Sequence, residues 1–161
     1  APDRLPTPAT PLPAGPVHSA PAPYSLRMPP PGPFRPGLGP KIRPHIEKRY
    51  GATWSRPAAR MRESVLAVKA ILTAWQEGTR LDFRGEFYRH TLMTPFFNPG
   101  PNPYGVPKVF LAAVGERMTE VAGEVADGIL IHAFTTERYV REVTLPALDR
   151  GFARSARRRA F

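Results

Sequence analysis

Residues 108–134, KVFLAAVGERMTEVAGEVADGILIHAF, decide the fold of this chain. Residues 108–114 form a short apolar run that is typical of a strand buried on both faces. Gly115 ends this run, and apolar residues then recur at helical spacing until Asp127 and Gly128, after which a second apolar strand begins. The stretch therefore predicts a strand, a turn, a short helix and a second strand, which is a parallel βαβ unit of an α/β protein.

The turn of this unit is the first candidate site. It consists of Val114, Gly115, Glu116 and Arg117. The turn after a parallel strand lies at the carboxyl edge of the sheet, where α/β proteins bind ligands. Backbone N–H groups at the start of a helix attract an anion, and Arg117 can add a charge-assisted hydrogen bond. The alternative interpretation is an ordinary strand-to-helix turn without a ligand.

A weak strand, a long helix and a hairpin are predicted before the βαβ unit. Residues 34–39 form the weak strand, since prolines within and after it remove hydrogen-bond donors. Ser55 suits the cap of the helix, Pro57 its first turn and Gly78 its end. Residues 81–88 alternate around a glycine in the manner of a small hairpin. One apolar stripe along the helix indicates core packing and contains Met61, Val65, Val68, Leu72 and Trp75.

A last helix is predicted after the βαβ unit. Thr135 or Thr136 can cap it, and it begins at Glu137. Pro146 is expected to kink or divide this helix, because proline deletes an internal hydrogen bond. Helices between strands imply a right-handed, layered α/β arrangement. The predicted parallel strands are residues 34–39, 108–114 and 128–132.

The first 33 residues differ from the rest in composition. Of the 22 prolines, 15 lie within the first 44 residues. Such a Pro/Ala-rich segment cannot bury enough apolar surface to offset the entropy lost on ordering. The predicted organisation is therefore a disordered or polyproline-like tail, residues 1–33, followed by one α/β domain, residues 34–161.

The formal net charge of +10 raises the question of an anionic partner. A basic cluster near the C-terminus could attract nucleic acid or an anionic membrane surface. Only one aromatic residue, Phe152, lies between its arginines, which is too few for a row of stacking platforms, so a solvated basic helix end is favoured and nucleic acid is the disfavoured partner. The cluster contains Arg150, Arg154, Arg157, Arg158 and Arg159.

The sequence excludes several classes of site. It has no cysteine, which excludes disulfides, thiolate metal sites and cysteine nucleophiles. The four histidines are scattered without carboxylates at ligand spacing, so no metal site is predicted. No apolar run approaches the ~20 residues of a membrane span, and residues 1–30 contain no basic-then-apolar secretion signal. We expect a cytoplasmic protein that does not bind membranes.

Further motifs occur in a fixed order between Phe34 and Arg157. They are GLG at 37–39, HIE at 45–47, FRGEFY at 83–88, LAAVG at 111–115 and AGEVADG at 122–128. In this order and spacing they resemble the bacterial luciferase-like monooxygenase family, particularly its deazaflavin-dependent branch. The resemblance implies a (β/α)8 TIM barrel with FMN or a deazaflavin coenzyme at the carboxyl ends of its strands. This chain would hold a partial barrel, about strands four to six.

The resemblance also implies roles for individual residues around the coenzyme. The turn from Val114 to Arg117 would help to hold the coenzyme phosphate, with the Glu116 side chain pointing away from it. Gly37 and Gly39 correspond to glycines beneath the coenzyme ring, where the missing Cβ lets a flat ligand approach. Prolines on either side of these glycines depart from the family pattern.

Three aromatic residues are candidates for the reaction and the substrate pocket. His132 and His45 are the candidate catalytic residues, because a histidine at the end of a barrel strand can donate to a flavin carbonyl or move a proton. For His132 the alternative is a packed, hydrogen-bonded side chain. Trp54 could form the wall of a hydrophobic substrate pocket, although core packing explains it equally well.

The predicted function is an oxidoreductase that passes a hydride between a small-molecule substrate and a flavin or deazaflavin, or activates oxygen for monooxygenation. Three strands cannot close an eight-stranded barrel, which predicts a truncated or frame-shifted member without turnover of its own. A complete barrel would be a possible homodimer. The alternatives are a basic, proline-rich interaction protein and an inactive remnant that aggregates through open strand edges.

Overall fold

The computed structural model describes residues 7–9 and 35–155. Its main sheet has four short parallel strands, which lie side by side in the order Thr7–Ala9, Pro36–Leu38, Phe110–Ala112 and Gly128–Leu130. Three of these strands lie within the ranges predicted from the apolar runs. The strands are β1 (Thr7–Ala9), β2 (Pro36–Leu38), β5 (Phe110–Ala112) and β6 (Gly128–Leu130).

The fourth strand, β1, lies in the segment predicted to be disordered. Its backbone pairs in parallel with β2, with Thr7 opposite Pro36 and Ala9 opposite Leu38. A free sheet edge pairs with backbone whatever the side chains bury, so composition alone did not indicate this strand. The structure therefore differs from the prediction at these three residues, and the rest of the predicted tail lies outside the described residues.

The long helix α1 spans Pro57–Glu77, and the whole predicted apolar stripe is buried. It ends at Gly78 with a φ of 65°, as predicted. The prediction that Ser55 caps the helix is wrong, because the N-cap is Arg56, with a φ of 34°. The Ser55 hydroxyl instead accepts a hydrogen bond from Arg60 Nη2 at 2.8 Å.

A hairpin forms where one was predicted, from β3 (Phe83–Arg84) and β4 (Arg89–His90), which pair antiparallel. Its bounds differ from the predicted residues 81–88, because residues 85–88 form the turn and the second strand follows them. Glu63 of α1 holds its turn, because the Glu63 carboxylate accepts the backbone N–H groups of residues 86–88 at 2.9, 2.7 and 2.6 Å. Gly85 leaves room for that carboxylate, since a Cβ there would overlap the Glu63 side chain. The hairpin is thus fastened to α1 by one acidic residue.

The βαβ unit is completed by helix α2, Glu116–Val125, between β5 and β6. Asp127 closes the unit beside the first strand. Its N–H donates to the Val109 carbonyl at 2.8 Å, and its Oδ2 accepts the Val109 N–H at 2.8 Å. Lys69 of α1 adds an ion pair to Oδ1 at 2.7 Å. The predicted strand, helix and second strand are confirmed.

The last helical segment is irregular just before Pro146, where a kink or a division was predicted. It consists of α3 (Glu137–Tyr139), a π-helical turn (Val140–Thr144) and α4 (Leu145–Arg154). Thr136 caps the start, since its Oγ1 accepts the Tyr139 N–H at 3.3 Å. Pro146 falls in the first turn of α4, where a missing N–H costs little.

Helices α2 and α4 pack with their backbones in contact. The contact is made at Gly123 and Gly151, both buried. A Cβ on Gly151 would overlap the carbonyl oxygen of Glu120, so this crossing requires glycine. Together with α1, these helices cover one side of the sheet and bury side chains such as Leu111 and Val121.

Candidate functional site

The carboxyl ends of β5 and β6 border an open cleft of about 520 Å³, here called the carboxyl-edge cleft. Its lining includes Val114 and Gly115 after β5, His132 after β6, and Pro40 after β2. Residues from three strand ends therefore meet at one edge of the sheet, as expected for parallel strands.

A second open space, of about 820 Å³, lies where α1 and α2 begin, and we call it the helix-start hollow. Gly115 is the N-cap of α2, no side chain caps this helix, and a Cβ on Gly115 would meet no atom within 4 Å. The start of α1 likewise has no side-chain cap and no acidic residue in its first turn. The positive ends of two helix dipoles therefore border the same hollow.

Arg117 and Glu116 carry opposite charges at this hollow. Arg117 is exposed and forms no ion pair with any described residue. The carboxylate of Glu116 is engaged by Arg150, whose Nη2 lies 3.0 Å from Glu116 Oε2. Arg150 also binds Glu120 at 2.7 Å and, as the largest cause, keeps the pKa of that carboxyl below its usual value. The Glu116 carboxylate is thus paired within the chain, whereas Arg117 has no carboxylate partner among the described residues.

Arg56 is a residue of this hollow that the sequence reasoning missed. It is the only described non-glycine residue with a positive φ, 34°, a conformation that costs roughly 1–2 kcal/mol for a residue with a Cβ. Its guanidinium pairs with Glu86, which raises the pKa of Arg56, and it lies 4.8 Å from the centre of the Phe87 ring. The one sequence signal is the following Pro57, because proline disfavours the α region for the residue before it.

His132 lies in the carboxyl-edge cleft, as predicted from its place after β6. It is exposed, and its Nδ1 accepts the Phe134 N–H at 3.2 Å. In the neutral ring the proton is therefore on Nε2. Tyr139 supports another residue of the lining, because its hydroxyl donates to the Val114 carbonyl at 3.2 Å. His45, by contrast, is exposed in a π-helical turn (His45–Arg49) and lines neither space.

The two glycines and the tryptophan predicted for the site lie outside the cleft lining. Gly37 is buried in β2 opposite Phe110. A Cβ on Gly39 would come within 3.2 Å of the Ala112 Cβ, so this glycine lets two strand ends approach. Trp54 is half-buried and lines a separate small recess. Pro40 takes the position at the cleft that the glycines were expected to hold.

The basic C-terminal cluster is partly neutralised. Arg150 and Arg154 both pair with Glu120 of α2, at 2.7 and 2.9 Å, which favours the interpretation of a solvated helix end. The three arginines at 157–159 lie outside the described residues. Within residues 7–9 and 35–155, no group of side chains could hold a metal ion and no helix is long and apolar enough to cross a membrane.

Several known proteins are similar to this chain in sequence. The chain is 61% identical over 124 residues to an uncharacterised protein of Mycobacterium tuberculosis, covering 77% of this chain and 36% of the relative. It is 30% identical over 123 residues to 5,10-methylenetetrahydromethanopterin reductase of Archaeoglobus fulgidus, covering 76% and 33%. It is 32% identical over 101 residues to F420-dependent glucose-6-phosphate dehydrogenase of Nakamurella multipartita, covering 62% and 27%.

Solved structures share the fold. The coenzyme F420 dependent tetrahydromethanopterin reductase from Methanopyrus kandleri matches with a TM-score of 0.68 at 18% identity, covering 96% of this chain and 47% of that one. An F420-dependent secondary alcohol dehydrogenase, solved with an F420-acetone adduct, matches with a TM-score of 0.73 at 17% identity, covering 93% and 44%.

This chain thus spans about a third of the length of the curated relatives and under half of the solved structures. The family model described as luciferase-like monooxygenase matches residues 4–160, which is nearly the whole sequence. The chain belongs to the luciferase-like monooxygenase family, as its motifs predict.

Proposed function

We propose that this chain is part of a deazaflavin-dependent oxidoreductase, which moves a hydride between an F420-type coenzyme and a small-molecule substrate. The observation that carries the proposal is the uncapped start of α2, where Gly115 and the unpaired Arg117 border the helix-start hollow. Relatives named as F420-dependent, within the same family, favour a deazaflavin over FMN.

The residues at this hollow fit the phosphate group of such a coenzyme. The first N–H groups of α2 have no side-chain cap and can bind an anion directly. Space above Gly115 is open, so a phosphate can approach the backbone closely. Arg117 supplies a positive charge without a competing carboxylate, since Glu116 is held by Arg150.

The chain would bind and orient the coenzyme, which supplies the hydride-transfer chemistry when it is bound. His132 borders the adjoining cleft and holds its proton on Nε2, from which it can donate to an acceptor on the ligand. The Tyr139 hydroxyl fixes the Val114 carbonyl and thereby the turn beside the phosphate. Catalysis by His45, the ring contacts of Gly37 and Gly39, a homodimer and a cytoplasmic location stay predictions.

Coenzyme binding is the appropriate test, because the chain spans only part of its relatives. F420 and FMN are titrated separately, and the change in coenzyme fluorescence is measured. We expect saturable binding that is tighter for F420. Arg117→Ala should weaken F420 binding about 10-fold or more, because a hydrogen bond to a charged group contributes roughly 1.5–3 kcal/mol.

Arg84→Ala is the matched control. Arg84 is also exposed but pairs with Asp82 on the hairpin, away from both spaces, so its loss should leave the affinity unchanged. If FMN binds more tightly than F420, the coenzyme of this chain is FMN rather than a deazaflavin. Equal effects of the two substitutions, or no binding of either coenzyme, would contradict the proposed phosphate site.

A further inference from the structure

Three glutamates lie four residues apart along α2 and therefore share one face of this helix. Arginines of the neighbouring helices pair with all three. The pairs are Glu116 with Arg150, Glu120 with Arg150 and Arg154, and Glu124 with Arg62. Of the three glutamates, Glu116 alone borders the helix-start hollow, and its side chain is 61% exposed, against 14% and 12% for the other two. The exposed end of this row thus lies at the proposed phosphate site.

Glu116 is the acid that could interfere most with an anionic ligand. It lies in the first turn of α2, and a carboxylate in a first turn is attracted by the positive end of the helix dipole. Gly115, the N-cap, has no side chain that covers the first N–H groups. An unrestrained Glu116 carboxylate would therefore lie close to the N–H groups that the ligand needs and would repel the ligand's negative charge.

Arg150 restrains this carboxylate. Its Nη2 lies 3.0 Å from Glu116 Oε2, and its Nε lies 2.7 Å from Glu120 Oε1. One guanidinium thus bridges two like charges four residues apart, which would otherwise repel each other. Arg150 belongs to α4 and does not line the hollow. The Glu116 carboxylate is therefore bound to a group outside the space that the ligand would occupy.

Helix packing fixes the position of Arg150. The next residue, Gly151, lies against Gly123 of α2, and a Cβ on Gly151 would overlap the carbonyl oxygen of Glu120. The two helices consequently cross at a defined point, and Arg150 reaches both acids from there. A residue 34 positions after Glu116 thereby determines where the Glu116 carboxylate lies.

We propose that Arg150 is a positioning residue of the coenzyme site. By binding the Glu116 carboxylate, it keeps the start of α2 and the Arg117 side chain available to an anionic ligand. The role in coenzyme binding rests on the proposed function, whereas the restraint of Glu116 does not. The competing explanation is that Arg150 only joins α2 to α4.

The test is a double-mutant cycle of Arg150→Met and Glu116→Gln, with F420 and inorganic phosphate as the titrated ligands. Methionine keeps an apolar stem on α4 while it removes the charge. Arg150→Met should weaken both ligands about fivefold, a moderate effect because the freed carboxylate is partly exposed and screened by solvent. In the Glu116→Gln background the same substitution should leave both affinities unchanged, since no carboxylate remains to be restrained.

Arg154→Met is the matched control. Arg154 lies on the same helix and pairs with Glu120 at 2.9 Å, and the described structure shows no ion pair between it and Glu116. Its loss should leave both affinities unchanged. An equal loss of affinity in Arg154→Met, or an undiminished effect of Arg150→Met in the Glu116→Gln background, would show that Arg150 acts through helix packing alone and would overturn the proposal.

A second measurement needs no ligand. The amide chemical shifts of Arg117 and Met118, recorded by NMR spectroscopy, should change in Arg150→Met and should not change when Arg150→Met is added to Glu116→Gln. Shifts that are insensitive to Arg150→Met would overturn the restraint of Glu116. If the unchanged chain binds neither F420 nor phosphate, the proposed coenzyme site fails, and the amide shifts still decide whether Arg150 positions Glu116.

Discussion

Two carboxylates, Glu63 and Asp127, fasten two regions of the molecule by the same chemistry over different distances. Asp127 lies at the start of β6 and binds the backbone of Val109, 18 residues earlier, beside the neighbouring strand. Glu63 lies inside α1 and binds the hairpin turn 23 to 25 residues later. The contact of Asp127 belongs to a βαβ unit that local patterns predict. The contact of Glu63 joins segments that no local pattern connects.

The largest effect should come from Glu63→Gln. An amide in place of the carboxylate weakens three hydrogen bonds and turns an NH2 group toward backbone N–H donors, so we expect a loss of about 2–3 kcal/mol in the free energy of unfolding. Urea denaturation measures this loss. The control is Glu77→Gln at the exposed end of the same helix, and equal stability of the two variants would show that the hairpin does not depend on Glu63.

Asp127→Asn should have a smaller effect, about 1 kcal/mol, because one N–H acceptor and one partly exposed ion pair are weakened while the backbone bond to Val109 remains. Lys69→Met removes the ion pair alone and so separates the two contributions. Hydrogen exchange at the Val109 amide should accelerate in Asp127→Asn and stay slow in Lys69→Met. The opposite order would show that the ion pair with Lys69, rather than the hydrogen bond from Val109, is the main stabilising contact of Asp127.

The smallest effect concerns pH. Burial lowers the pKa of His90 at the end of the hairpin, and its Nε2 has no partner in the described structure. The unfolded chain, with an ordinary histidine pKa near 6.5, therefore binds more protons in mildly acidic solution, and stability falls as the pH decreases below that value. Melting temperatures between pH 7 and pH 5 should decline less in His90→Gln than in the unchanged chain.

His45→Gln is the matched substitution for this pH series, since His45 is an exposed histidine outside the hairpin. Hydrogen exchange sharpens the comparison further. Acid should first release the amides of the hairpin, while the βαβ unit keeps its protection. A uniform loss of protection would show that the two regions unfold together and that the contacts of Glu63 and Asp127 do not stabilise them independently.

Much of the βαβ unit could be predicted because its signals are local. Apolar runs and helical spacing predicted β5, α2 and β6. The carboxyl ends of parallel strands share one edge of a sheet, which predicted that Gly115 and His132 line one cleft. The stop at Asp127 was also recognisable, although its bond to Val109 was not.

The remaining features depend on contacts between distant segments. Ser55 was expected to cap α1, but Arg60 engages its hydroxyl and Arg56 becomes the cap in a left-handed conformation. The contact between Glu63 and the hairpin turn joins residues 23 to 25 positions apart, which no local pattern connects. Strand β1 escaped prediction because pairing of its backbone leaves no pattern in its side chains.

The π-helical turn before α4 sets limits on insertions and deletions. This turn, Val140–Thr144, contains one residue more than an α-helical turn would, and each residue of a helix advances its face by about 100°. Deleting one residue there would rotate Gly151 away from α2 and bring a larger side chain against Gly123. Relatives should therefore vary in sequence at the exposed positions 141 and 142 yet keep the number of residues in this turn constant.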